Sequence, residues 1–278
     1  MSSQRLSQPA AILRHATLLV TGALMLVPFA WMVSLSIKPP GEIFKENFSF
    51  LPEQWYLFEN YTRALTAVPL PRYMMNGVIV CAAILVLQIL VCAPCAYALA
   101  KLRFPGRNLL FGLVLVGLLL PHQVLSLPLF IIGYKLGILN TYAALVFPYV
   151  VSPFGIFLFR QFFKTIPHDV VHAARLDGLS ELAIVWRIMV PMALPAVMAF
   201  GIFSVVSHWN ELFWPLVAVR SEHLMPPPLG IMAFRNEESG NDYGPLMAAS
   251  TLVIAPLVIA FLCAQRWFVQ GLTTGAIK

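Results

Sequence analysis

Two cysteines, two histidines and one carboxylate are the residues of this chain whose spacing could do chemistry. Cys92-Ala-Pro-Cys95 has the spacing of a dithiol redox site. Such a site needs a thiolate at a helix N-terminus within reach of water. Here the pair lies inside an apolar run between Val91 and Tyr97, with no strand–helix–strand pattern around it, so redox chemistry is not expected. Cys81 and Cys263 also fall in apolar runs, and no disulfide framework follows. His168 and His172 are four apart and would share a helix face, as metal ligands can. No third ligand accompanies them, and a solvated helix face is the expected reading, with no metal.

Glu211 makes the stronger case. A carboxylate inside a hydrophobic run costs at least ~2.5 kcal/mol against lipid, so it should face a cavity or a partner. On a continuous helix Ser204, Ser207, Asn210 and Glu211 would share one face, flanked by Trp209 and Trp214. That face could line a path for a polar solute, with Asn210 and Glu211 hydrogen-bonding hydroxyls and the indoles stacking on a ring. An interhelical hydrogen bond is the competing role. His122 and Gln123 are weaker candidates for the same lining, and Gln88 suits a polar tie between helices.

These residues are carried by a chain that needs lipid. It is 59% hydrophobic and 11% charged, with a mean hydropathy of +0.80. A soluble domain carries about 25% charged residues. One domain covering 1–278 with six spans is expected, at roughly 14–37, 73–100, 108–134, 141–161, 192–219 and 245–268. The first run is too long for a signal-peptide core and lacks a cleavage site, so it is expected to stay as a span. Pro28, Pro94, Pro121, Pro128, Pro148, Pro153, Pro215 and Pro256 lie in or near the spans and hint at helices that bend around a pathway.

The net charge of +6 sits in loops between spans, not on one face of a soluble fold, which argues against nucleic acid. The turn KLRFPGRN carries Lys101, Arg103 and Arg107 and no acid, and the loop from Arg160 to Arg187 is also basic. By the positive-inside rule these loops and both termini are expected in the cytoplasm. The long loops 38–72 and 220–244 then face outward. Pro52, Glu53, Trp55, Tyr56, Phe58 and Tyr61 in the first make either an interfacial aromatic belt or a landing surface, and Pro226–Gly230 stiffens the second.

Residues 172–191, HAARLDGLSELAIVWRIMVP, form a basic loop that reads as a short helix, a turn and a second helix. Ala173 and Ala174 would give a small flat face. Asp177-Gly178 is a turn signal, because glycine reaches positive φ and aspartate bonds its own backbone. Ser180 before an apolar-periodic run reads as the next helix start. A loop this ordered is expected to be a docking surface.

The pattern resembles the EAA loop of ABC-importer permeases, E-A-A, three residues, G, nine residues, I, one residue, L-P. Ala173, Ala174, Gly178, Ile188 and Pro191 match; His172 stands for the glutamate, Val190 for the leucine, and Leu179 where alanine is common. AYALAKLRFPGRN (96–108), WNELFWPL (209–216) and GLTTGAIK (271–278) extend the likeness to carbohydrate-type permease subunits, such as the second permease of the maltose system. The resemblance implies an all-α membrane protein of the bacterial cytoplasmic membrane, with the coupling loop between helices four and five. It implies a second permease subunit, two cytoplasmic ATPase subunits holding ATP and Mg, and an extracytoplasmic solute-binding protein. His172, Ala173, Ala174, Asp177, Gly178, Ile188 and Pro191 would then couple to the ATPases. No G-x-x-x-x-G-K-[ST] occurs, so no enzymatic activity and no cofactor are expected on this chain. A secondary carrier or channel is the alternative. Such a protein needs no docking loop and usually carries ionisable groups along its path, where only Glu211 is available.

Overall fold

Long runs of leucine, valine, isoleucine and alanine leave a backbone in lipid one local way to pair its amides, the α-helix. The computed structural model describes residues 8–45, 49–235 and 242–276, and among these no strand forms. In chain order the helices are α1 (Gln8–Ser36), α2 (Leu57–Thr66), α3 (Leu70–Lys101), α4 (Arg107–Leu119), α5 (Ser126–Lys135), α6 (Tyr142–Val146) and α7 (Pro153–Thr165). After them come α8 (His168–Leu176), α9 (Glu181–Ile184), α10 (Val190–Met192), α11 (Leu194–Trp209), α12 (Phe213–Ala218), α13 (Pro227–Gly230) and α14 (Tyr243–Ala276).

Three helices are long and apolar enough to cross a membrane unbroken: Ile12–Ser36, Leu70–Lys101 and Tyr243–Cys263. Three bent helix pairs would bring the total to six if each were one span, but the third covers 181–209 and not the expected 192–219, because the chain breaks again after Trp209. Arg107–Leu119 and His122–Lys135 meet at 100°, Tyr142–Tyr149 and Pro153–Thr165 at 43°, and Glu181–Met192 and Leu194–Trp209 at 83°. Proline accounts for the breaks, since it has no N–H and its ring clashes with the carbonyl four residues back. Pro121 and Pro153 stand at the first two. Pro191 distorts the run before it, where Val185–Met189 is a π-helical turn.

The chain divides into two compact units. In the first, residues up to 69 with 231–254, the segment after α1 is folded. The Asn60 amide donates to the carbonyls of Ser36 (3.0 Å) and Lys38 (2.9 Å). The Glu42 carboxylate accepts from the backbone of Glu53 and Gln54, and Arg63 pairs with Asp242. Of the aromatics in the 38–72 loop, Trp55 and Phe58 are exposed. Residues 236–241 of the 220–244 loop lie outside the described residues.

In the second unit, α3 is the axis against which α7 and α11 pack. Cys92, Ala96, Phe159, Phe163, Ile184, Met189 and Phe200 are buried together there. The N-terminal half of α3 holds the segment 222–230. The Asn76 amide donates to the carbonyls of His223 (3.0 Å) and Met225 (2.9 Å), and the Tyr73 hydroxyl bonds Glu222 (3.1 Å). Gly230 is pressed onto the Tyr73 ring, where a Cβ would meet ring carbon at 2.0 Å.

Candidate functional site

α8 ends in a hydrogen-bonded reversal that the Asp177-Gly178 pair makes possible. Gly178 has φ +80, its N–H donates to the Arg175 carbonyl (3.0 Å), and the Leu179 N–H donates to the Ala174 carbonyl (3.1 Å). This is a Schellman closure, which satisfies carbonyls that a helix end would otherwise leave open. Ser180 then starts α9, its hydroxyl accepting from Ala183 N–H at 3.3 Å. Val171, Ala174, Ile184, Val185 and Met189 bury the inner side of the loop.

A fork of charged hydrogen bonds closes the two arms on each other. Arg175 donates from Nε to Glu181 Oε1 (2.8 Å) and from Nη2 to Oε2 (3.2 Å). The Tyr97 hydroxyl of α3 donates to the same carboxylate at 2.5 Å. The bonds to Glu181 hold the Arg175 pKa above its usual value. The sequence reading missed Arg175, Glu181 and Tyr97. Six residues across a turn match no helical period, and Tyr97 sits in another span.

The two alanines do not share a face. Ala174 is buried in the core and Ala173 is exposed. The outward side of α8 is Asp169, His172, Ala173 and Leu176, at the i, i+3, i+4, i+7 spacing of one helix stripe. Leu176 is 90% exposed, an apolar residue the sequence reading did not single out. Asp177, Gly178 and Pro191 are exposed beyond it, while Ile188 packs against the core. The His168 and His172 rings lie 6.3 Å apart on α8, and among the described residues no third ligand joins them.

The second set of candidate residues is not arranged as one helix face. α11 stops at Trp209 because Pro215 strips the carbonyl of Glu211 of its helical partner, and α12 begins afresh at Phe213. Ser204 is buried and donates to Gln88 Oε1 at 2.6 Å, whereas Ser207 is exposed. Asn210 is exposed and its amide turns back to the Val206 carbonyl (2.8 Å). Both tryptophans are buried: Trp209 lies close against Gly77, and Trp214 donates Nε1 to the Ala144 carbonyl at 2.8 Å. They therefore hold helices together and offer no stacking surface. Glu211 caps the new helix, its Oε1 accepting from Trp214 N–H at 3.1 Å.

The breaks do bring other polar groups together. His122 stacks on Tyr149 at 4.6 Å, and Tyr149 meets His208 edge-on at 4.7 Å, so three interrupted spans touch through their rings. Gln88 of α3 donates to the Tyr149 carbonyl (2.8 Å) and ties this cluster to Ser204. Among the described residues the Tyr149 hydroxyl is the one buried side-chain polar atom without a hydrogen-bond partner. A cavity of about 10 Å³ lies beside it, lined by His208 and Glu211 among others. Irregular backbone within a membrane protein is tolerated where it is buried or lines a cavity, and the interrupted backbone around Tyr149 is buried in this way. Gln123 is exposed at the same break.

A closed helical hairpin and interrupted spans around a polar cluster are features that fit a membrane transport subunit. Residues 92–274 match the family described as binding-protein-dependent transport system inner membrane component, and the chain belongs to that family. It is 35% identical to the arabinooligosaccharides transport system permease protein AraQ of Halalkalibacterium halodurans, over 90% of each chain. It is 34% identical to the diacetylchitobiose uptake system permease protein NgcG of Streptomyces coelicolor, over 96% of this chain and 89% of that one. Its fold matches a chain from the crystal structure of a bacterial ABC transporter involved in the import of the acidic polysaccharide alginate, with a TM-score of 0.81, 24% identity, and coverage of 96% and 99%.

Proposed function

We propose that this chain forms half of the translocation path of an ATP-driven importer for a sugar or related polyhydroxy solute, and couples that path to cytoplasmic ATPase subunits through α8. The observation that carries the reading is the closed α8–α9 hairpin. Its outer stripe offers an exposed leucine, while its inner side is fixed to α3 through Arg175, Glu181 and Tyr97. Helix-in-groove docking needs an anchor of this kind on a rigid backing. The named cargo of the relatives AraQ and NgcG supports an oligosaccharide-type solute.

In this account a second permease subunit completes the path, two ATPase subunits bind ATP and Mg, and an extracytoplasmic protein delivers the solute. The chain lies in a bacterial cytoplasmic membrane with both termini inside. Closure of the ATPases moves α8 as a rigid body, and the broken spans rearrange around the Tyr149 cluster. Nucleotide shifts that equilibrium only by its different affinity for the two states. No observation favours a carrier or channel.

Leu176→Ser tests the reading. It removes the anchor from an exposed position and should leave the permease in the membrane at normal level. ATPase recovered with the purified complex, and solute uptake, should both fall about tenfold, since one well-seated anchor is worth roughly 1–2 kcal/mol. Uptake and recovery at the unaltered level would remove α8 from the interface. His172→Glu should change both by less than about threefold, because an exposed ion pair is worth about 0–1 kcal/mol. A complex that no longer assembles would show that the imidazole makes an essential contact.

A further inference from the structure

The turn between α3 and α4, together with the end of α7, concentrates positive charge that no ion pair among the described residues neutralises. Lys101 is buried and donates to the Ile166 carbonyl, and Arg107 donates to the Leu102 carbonyl at 3.1 Å. Both partners are neutral. Among the described residues the ion pairs are Lys45–Glu53, Arg63–Asp242 and Arg175–Glu181, so Lys101, Arg103, Arg107 and Lys164 meet no carboxylate. A cavity of about 330 Å³ is lined by Lys101, Arg103, Arg107, Lys164 and His168. A second, of about 350 Å³, lies against Arg103, Arg107, Asn108 and Leu109.

Two further features bear on what fills this place. Gly106, at φ +81, turns the chain into α4 with no side-chain cap, so the amides of the first turn add their partial positive charge. Immediately along α4, Leu109, Leu113 and Val116 form an exposed apolar stripe at helical spacing. The basic cavity is thus continuous with a surface suited to hydrocarbon, at the end of two membrane helices. A soluble anion would use only the first part, and an acidic protein segment would not suit the leucines.

We infer that this cavity binds the phosphodiester headgroup of an anionic phospholipid, whose acyl chains run along the exposed stripe of α4. Arg103 and Lys164, both exposed, supply the charge that meets the phosphate, and Arg107 and the α4 amides fix its position. Basic pockets at the cytoplasmic ends of membrane helices are suited to such headgroups. The His168 imidazole is pushed below its ordinary value chiefly by the Lys101 charge, against a smaller opposing effect of Asp169. This inference needs only that the chain spans a membrane, and stands apart from the coupling role of α8.

The test is lipid retention by the intact complex purified from nanodiscs holding phosphatidylglycerol and phosphatidylcholine in equal amounts, read by native mass spectrometry. The unaltered chain should retain phosphatidylglycerol at least about threefold over phosphatidylcholine. Arg103→Gln with Lys164→Gln should abolish the preference at unchanged yield. If the double variant is poorly made, Arg103→Gln alone should halve the preference. No preference in the unaltered chain, or the same preference in the variants, overturns the inference. Displacement of the lipid by inorganic phosphate at equal concentration would assign the cavity to a soluble anion instead.

Discussion

Gly178→Val should abolish uptake almost completely while the permease still reaches the membrane. Valine resists positive φ, and holding a non-glycine residue in such a region costs on the order of 1–3 kcal/mol. At φ +80 the strain falls on the residue that closes α8. Nothing fills the space around it, so the effect is conformational and not steric. The cheapest escape is to open the reversal, which releases Leu179 from the Ala174 carbonyl and separates Arg175 from Glu181. The anchor would then lose its rigid backing. A graded series follows from the backbone alone: Gly178→Asn, which visits this region readily, should transport nearly normally, Gly178→Ala should be intermediate, and Gly178→Val lowest. Normal uptake by the valine variant would show that this closure does not set the docking geometry.

Glu211→Leu should reduce uptake at least tenfold, and Glu211→Gln only modestly. The structure gives the carboxylate two jobs, the cap on α12 and a polar wall beside Tyr149 and His208. Glutamine keeps an acceptor for Trp214 N–H, so the cap survives. Leucine leaves that amide unpaired, at a cost of about 1–3 kcal/mol, and removes the polar wall as well. Uptake must therefore be normalised to the amount of intact complex. A drop in Glu211→Gln uptake at full complex recovery assigns the carboxylate to the solute path. Loss of uptake only in step with loss of complex, in both variants, would make Glu211 purely structural.

The helical class and the turn at Asp177-Gly178 were legible because both rest on local signals. Apolar runs of span length need no tertiary information, and the alanine, glycine and proline spacing of 172–191 fixes a turn chemistry that the backbone then adopts. Where the spans break was only half legible. The prolines were visible, but treating 192–219 as one helix put Ser204, Ser207, Asn210 and Glu211 on a shared face that Pro215 prevents. Trp209 and Trp214 were misjudged for a related reason: an indole next to a carboxylate reads as a binding surface until the neighbouring helix is present to bury it. The Arg175–Glu181–Tyr97 fork was invisible, since it joins residues across a turn to another span. Tyr149 and His208 came into view only when the interrupted spans met.

The coupling role of α8 is the central claim, and a photo-crosslink from its anchor tests it most directly. Leu176 is replaced by a benzoyl-phenylalanine residue, and Phe58, exposed in the segment 38–72 expected on the opposite side of the membrane, by the same group as control. Both are irradiated in native membranes. The account predicts an adduct between position 176 and the ATPase subunit, and none from position 58. An intact complex that gives no ATPase adduct from 176, or gives one from 58, would contradict it.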